Sequence, residues 1–277
     1  MRLFVQVLDD STDERAIALV DQCVDKWSRK SIQIDTIRRP IREGFKADSM
    51  QHGMTFMPNA AYIAIFDADF LPTADFLLQT VPTLIQDPLV AFVQARWTFT
   101  NAKESFLTRM QEIWLNFHHK CEQEGSYRVS VFFGFNGTGG VWRTSAIEQC
   151  GGWQCDTLVE DWDLSLRTHL NGWHSAYMNN VGCLNEISPT FAAFYSQQYR
   201  WTCGPMQVPI SPPIRSFSIS GASIITANDY RVTNGKRYIF PLYGVDGASH
   251  VTRCGIHTKR NPYDSTLYPF YEWCVST

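Results

Sequence analysis

The sequence predicts an α/β fold, a mostly parallel sheet flanked by helices. Three observations predict it. Short apolar runs alternate with helical stretches from residue 2 to residue 201, the order that builds a sheet covered on both faces. The run at 60–66 is continuously apolar, as suits a central strand. Acidic clusters close two such runs, at Asp9-Asp10 and at Asp67-Ala68-Asp69, and ligands in these sheets sit at the carboxyl ends of strands.

The totals agree. The chain has 277 residues, enough for one large α/β domain or two small ones. Hydrophobic residues make up 44% and charged residues 18%, a globular rather than disordered balance. A net charge of −3 gives no basic surface for nucleic acid or anionic lipid. Nine Trp supply flat faces that stack on sugar rings and also fill cores. None of the eight Cys forms a C-x-x-C pair, which argues against structural zinc. Most thiols are expected to be reduced and buried. Met1-Arg2 runs straight into a strand, so no signal peptide is expected. No run of 18 apolar residues is present, so no bilayer span is expected either.

In order along the chain, residues 2–8 read as a buried strand, with Ser11, Thr12 or Asp13 capping a helix to about residue 30. Residues 31–37 alternate as a strand does. A loop and short helix span 44–57, and the strand at 60–66 ends in the acidic Asp67-Ala68-Asp69. Residues 73–85 place Leu77, Leu78, Val81 and Leu84 on one side of a helix. A strand follows at 89–98, then a long helix at 105–123 carrying Met110, Ile113, Trp114 and Phe117. Residues 129–135 read as a strand entering the turn Asn136-Gly137-Thr138-Gly139-Gly140. A short helix at 144–150 stops at Gly151-Gly152. Helices at 160–170 and 191–201 complete the confident elements. Past about residue 205 the periodicity is lost. Residues 1–207 read as one domain, and 208–277 as an atypical tail expected to be irregular or disordered.

Six places carry residues suited to chemistry. Asp67 and Asp69, two residues apart past a buried strand, offer hard oxygen ligands to Mg²⁺ or Mn²⁺; an exposed acidic turn is the alternative. Asp10 can bind a base or ribose, or serve the helix start. Asp161, in Val159-Glu160-Asp161, sits where a helix N-terminus stabilises a carboxylate and is placed for a general base; a plain helix-start acid is the alternative. Gln197 and Arg200 share a helix face, where Arg200 can hold diphosphate oxygens and Trp201 can face a sugar ring. Arg200 beside a core Trp is also an ordinary packing arrangement. Asn136-Gly137-Thr138 lets backbone approach a ligand, with Thr138 as a donor, or is simply a tight turn. Lys46 can meet a phosphate or lie on the surface.

The order of these residues resembles the processive family-two glycosyltransferases, whose series is D, D-x-D, D, Q-x-x-R-W. The resemblance covers about residues 2–207 and looks closest to the cellulose-synthase-like A and C groups of plants and algae. It rests on Val5-Gln6-Val7-Leu8-Asp9-Asp10, Tyr62 through Phe70, Val93-Gln94-Ala95-Arg96-Trp97, Phe132 through Trp142, Val159-Glu160-Asp161 and Gln197 through Gln207. It implies a GT-A-type domain and inverting hexosyl transfer from GDP-mannose or UDP-glucose to a growing β-1,4-linked polysaccharide. By the same resemblance, Asp10 and Lys46 hold the nucleotide, and Asp67 and Asp69 address diphosphate and a Mn²⁺ or Mg²⁺ ion. Asp161 is the base. Gln197, Arg200 and Trp201 line the acceptor and diphosphate end near Asn136, Gly137 and Thr138. A Golgi membrane location and membrane association of the full-length family are also implied.

The departures are four, one being that the tail after Gln207 does not resemble the family's interfacial helix. Family members open with a strand and a Tyr-Asn-Glu-like loop, so the sheet's first strand is expected to be missing. Their flanking transmembrane helices have no counterpart, and Asp48 replaces the glycine usual after Lys-Ala. Two other readings follow: an inactive nucleotide-binding scaffold associating with a full-length synthase, and a carbohydrate-binding module. The module leaves the ordered acids unexplained. Cys203-Gly204-Pro205 resembles the mannan-making group and Met206-Gln207 the glucan-making one, which leaves the donor open.

Overall fold

The computed structural model describes residues 3–157, 159–207, 231–232, 236–237 and 271–276. Most of the expected tail therefore lies outside the described residues. The first half of the chain runs β1 (Phe4–Asp9), α1 (Glu14–Ser28), β2 (Ile34–Ile37), α2 (Phe45–Thr55), β3 (Tyr62–Asp67), β4 (Leu71–Pro72), α3 (Phe76–Gln86) and β5 (Val90–Phe99). Then come α4 (Phe106–Phe117), a π-helical stretch (His118–Gln123), α5 (Glu124–Arg128), β6 (Gly140–Arg143) and α6 (Thr144–Gln149). Next are α7 (Glu160–Leu170), β7 (His174–Asn185) and α8 (Phe191–Gln207). Two short strands, β8 (Arg231–Val232) and β9 (Lys236–Arg237), pair with each other, and β10 (Tyr271–Ser276) joins the main sheet.

The main sheet has the order β2-β1-β10-β3-β6-β5-β7-β4. Strands β1, β2, β3, β5 and β7 point the same way, so the mostly parallel expectation holds for strand direction. Neighbouring pairs are mostly antiparallel, because β10 and β6 run back between the co-directional strands. The co-directional strands deliver their carboxyl ends to one edge of the sheet. There Asp9-Asp10, Asp67 through Asp69 and the turn leading into β6 meet.

Both faces of the sheet are covered. On β3, Ile63 and Ile65 pack with Leu8, Phe92 and Trp142, while Ala64 and Phe66 pack with Phe76, Leu84 and Val93 on the other face. This period-two division explains the unbroken apolar run. Each fully buried Ile, Leu or Phe here stabilises the fold by about 1.5–3 kcal/mol. A small apolar cavity between Gln6, Met50, Met54, Ile63 and Trp153 lies inside the first layer.

Four expectations need correction. Residues 129–135 form no strand: the backbone leaves α5 through Ser130, at φ 55°, and runs unpaired with the sheet. Its Phe135 N–H donates to the Ser165 hydroxyl, at 2.9 Å, instead of to a neighbouring strand. The helix expected to end at 123 reaches Arg128 by way of the π-helical stretch. Its apolar stripe faces outward: Met110, Ile113 and Phe117 are exposed, while Thr108, Gln111, His119 and Gln123 are buried. Cys23, Cys121, Cys150, Cys155, Cys183 and Cys203 are free, but of these only Cys150 and Cys183 are buried, and Cys121 and Cys155 are exposed. Strand β7, at twelve residues the longest, has no counterpart in the sequence reading.

Candidate active site

The strand ends place two sets of side chains, one ionic and one neutral. The ionic set begins where parallel β1 and β2 set Leu8 beside Ile37. The next residues therefore pair in sequence, Asp9 with Arg38 and Asp10 with Arg39. Arg38 Nε donates to Asp9 at 2.8 Å, and its Nη2 reaches Asp21 on α1 at 2.7 Å. Arg39 grips both oxygens of Asp10. It also donates to Asp48 Oδ2 at 2.6 Å and to the carbonyls of Glu43 and Phe45 at 2.9 and 3.0 Å. This clasp fixes the loop before α2. From the second residue of α2, Lys46 Nζ then reaches Asp67 Oδ1 at 2.5 Å.

Asp69 accepts from the backbone N–H of Glu186, just past β7. Burial, and then repulsion from Asp67, raises its proton affinity. Lys46 supplies the pair with positive charge from the Asp67 side. Among the described residues no three His, Cys, Asp or Glu side chains gather as a complete cage. Two adjacent carboxylates nevertheless fit Mg²⁺ or Mn²⁺, which complete their shells with water and phosphate oxygens.

The neutral set is built around the turn at 136–139. Gln94 is fully buried on β5. Its carbonyl accepts from Asn136 N–H at 2.9 Å, and its amide donates to the carbonyls of Thr138 and Gly139 at 3.1 and 3.2 Å. Trp97 Nε1 donates to the Thr138 carbonyl at 3.2 Å. The Thr138 hydroxyl accepts from Asp67 N–H at 2.8 Å, locking the turn to the D-x-D strand. Gly137 sits at φ 80°, and a β-carbon there would lie 3.2 Å from Asp161 Oδ2 and 3.9 Å from Lys46 Nζ. A side chain would fill the hollow that the carboxylate and the ammonium share.

Asp161 reaches this hollow from the first turn of α7. Behind it the Ser165 hydroxyl donates to the Asp161 carbonyl at 2.6 Å and accepts from Phe135 N–H. Arg167 ties the same helix to the loop after α6 through Asp163 and the carbonyls of Cys150 and Gly152. Sequence position suggests that the helix N-terminus would stabilise the Asp161 carboxylate. The structure corrects this: burial first and the neighbouring Glu160 second outweigh its backbone N–H contacts and push its pKa up to about 7. Burial also raises Glu160, against the opposing fields of Lys46 and Arg200.

Helix α8 closes the site. Gly204 packs so tightly on Val159 that a β-carbon would come within 2.3 Å of it, which seats α8 against the start of α7. Trp201 is partly buried, its ring 6.3 Å from that of Trp97. Arg200 is exposed within electrostatic reach of Glu160, and Gln197 is half-buried.

The structure therefore brings together Lys46, Asp67, Asp161 and Gly137, with Asp69 and Arg200 at the margins. Three expected contacts differ. Thr138 is 1% exposed and its hydroxyl is spent on the protein, so it ties the strand and offers no donor to a ligand. The Asn136 amide turns inward onto Gln123. Asp10 is closed by Arg39, so Arg39 shares its surface. The supporting residues Arg39, Gln94, Trp97 and Gln123 were not read as site residues. The signal available was a glutamine inside the apolar run 90–95 and two arginines directly after a strand.

An α/β domain with paired carboxylates at a strand end and a third acid facing them defines the class of GT-A-type glycosyltransferases. A mannosyltransferase of Pyrobaculum calidifontis, solved with GDP-Man and Mn²⁺, shares the fold with a TM-score of 0.53 at 16% identity, over 71% of this chain and 52% of that one. The chain belongs to the Glycosyl transferase family group 2, whose family model matches residues 62–242. It is 50% identical over 206 residues to the probable glucomannan 4-beta-mannosyltransferase 11 of Arabidopsis thaliana, 74% of this chain and 46% of that one. Over 206 residues it is 48% identical to glucomannan 4-beta-mannosyltransferase 1 of Oryza sativa subsp. japonica, 74% of this chain and 40% of the relative. The chain thus spans less than half the length of these curated relatives. Among the described residues no helix is long and apolar enough to cross a membrane.

Proposed function

We propose that this chain is the sugar-transferring part of an enzyme that moves a hexosyl group, with inversion, from a nucleoside diphosphate sugar to the hydroxyl of a growing β-1,4-linked glycan. One observation carries the reading: Lys46, Asp67, Gly137 and Asp161, from four distant segments, share one hollow at the carboxyl edge of the sheet. The relatives named as mannosyltransferases and the neighbour bound to GDP-Man support GDP-mannose as donor. UDP-glucose is the alternative donor to test.

Asp161 takes the proton of the acceptor hydroxyl. The freed oxygen attacks the anomeric carbon, and the bond from that carbon to the diphosphate oxygen breaks with its electron pair leaving on the diphosphate. A carboxylate whose pKa lies near 7 is suited to that proton. Arg200 and Lys46 offer positive charge to the departing diphosphate. Asp67 and Asp69 would hold Mn²⁺ or Mg²⁺, which when bound neutralises diphosphate charge. The open face of Gly137 leaves room for the sugar, and Trp201 forms the apolar wall beside it.

Asp161→Asn is expected to lower transfer by about 10²–10⁴-fold while leaving GDP–Mn²⁺ binding by calorimetry within twofold. Unchanged turnover in that variant would overturn the assignment. Because the chain spans less than half of its relatives, a scaffold role beside a full-length synthase is the second reading. Nucleotide binding without transfer by either donor would favour it.

A further inference from the structure

The inner face of the 106–128 helix is polar, and its last member points at the site. Gln123, 3% exposed, uses all of its hydrogen-bonding capacity. Its Nε2 donates to Asn136 Oδ1 at 2.8 Å and to the Gly134 carbonyl at 3.2 Å. Its Oε1 accepts from Asn136 Nδ2 at 2.9 Å and from His119 Nδ1 at 3.2 Å. That assignment puts the His119 proton on Nδ1, where the Tyr177 hydroxyl also lies at 3.4 Å. His119 is wholly buried, its ring 5.3 Å from that of Trp97, and Trp97 both faces Trp201 and holds the Thr138 carbonyl.

We propose that Gln123 is a positioning residue for the transfer, acting through Asn136. Its reciprocal amide pair sets where Gly137 stands opposite Asp161 and Lys46. The physical argument is one of constraint. Residues 131–136 have no strand partner; past the Val131 N–H, which donates to the Ser126 carbonyl, their hydrogen bonds go to the side chains of Gln94, Ser165 and Gln123. Gln94 and Ser165 fix backbone N–H groups, whereas Gln123 fixes the Asn136 side chain, the last one before the glycine that borders the hollow. The π-helical stretch His118–Gln123 presents both His119 and Gln123 inward, and such stretches are rare and frequently lie at functional sites. The inference rests on the transfer reading above.

The test compares Gln123→Leu, Gln123→Glu and Asn136→Ala, singly and with Leu at 123 and Ala at 136 combined. Loss of the pair should lower kcat by about tenfold to a hundredfold, the scale of a small misplacement, with GDP–Mn²⁺ affinity within twofold. Gln123→Glu, which keeps the acceptor to Asn136, should recover part of that loss. The combined variant should lose less than the sum of the two single losses. Additive losses, or unchanged kcat in the folded Glu variant, would overturn the proposal. If the parent chain transfers no sugar, the function reading fails, and the positioning claim is then read by amide exchange. The Asn136 side-chain amide protons, which donate to Gln123 Oε1, should exchange at least about tenfold faster in Gln123→Leu than in the parent, and equal rates would sink it.

Discussion

The two sides of the candidate site are held by opposite chemistry. At the β1–β2 end, Asp9, Asp10, Arg38, Arg39, Lys46, Asp48 and Asp67 form a web of ion pairs. Around the 136–139 turn, Gln94, Gln123, Trp97 and Thr138 do the same work with neutral groups. Burial differs within the ionic side: Asp9 and Asp10 are 0% and 11% exposed at their side chains and are each paired with an arginine, whereas Asp48 is 51% and Asp67 34% exposed, so water solvates part of those charges. Gln94 and Thr138 are at most 1% exposed, where a lone ion would be costly and a fully bonded amide is not. The solvent-facing ion pairs are consequently adjustable by salt, and the neutral side is fixed.

The sharpest way to break this contrast is Gln94→Leu. It strands the Asn136 N–H in the core, while the Thr138 and Gly139 carbonyls keep Trp97 Nε1 and the Ala95 N–H as donors, so urea unfolding should show a loss of about 1–3 kcal/mol. That loss should not change with salt. Arg39→Met, which unpairs Asp10 and the half-exposed Asp48, should cost a similar amount, about 1–3 kcal/mol. Its effect should shrink between about 0.05 and 1 M NaCl as screening shortens from above 10 Å to about 3 Å. Equal salt responses in the two variants would erase the distinction.

A pH profile sharpens it further. As the proposed base, Asp161 would act only when deprotonated, and its pKa is raised to about 7. Log(kcat/KM) should therefore rise by about one unit per pH unit below 7 and level off above it, each unit being about 1.4 kcal/mol. A profile already flat at pH 5.5 would place the base elsewhere. The smallest effect is expected on the outer face of α4, where Met110→Gln should change stability by within about 0.5 kcal/mol. Its neighbour Gln111→Leu, which loses a 2.8 Å bond to the Ser188 carbonyl, should cost clearly more.

That helix also shows where the sequence could be read and where it misled. Runs of apolar residues gave β1, β3 and β5 to within a residue or two, since strands buried on both faces leave an unmistakable record. The acids at their ends were legible for the same reason. Helix 106–128 broke the rule that apolar residues face inward. It covers irregular backbone at 131–136 and 186–190, whose carbonyls need donors: Gln111 donates to the Ser188 carbonyl and Gln123 to the Gly134 carbonyl from its inner face. Strand β7 escaped because Asn179 and Asn180 interrupt its pattern near the register shift against β5. Arg39 and Gln94 act through residues distant in sequence, and no local spacing announces such partners.

The widened helical turn at 118–123 has an evolutionary consequence. An ordinary helix advances about 100° per residue, so deleting one residue there would swing one flank of the helix about a third of the way round relative to the other. Leu115 and Gln123 could then no longer both point into the core. Single-residue length changes should accordingly be selected against in this stretch.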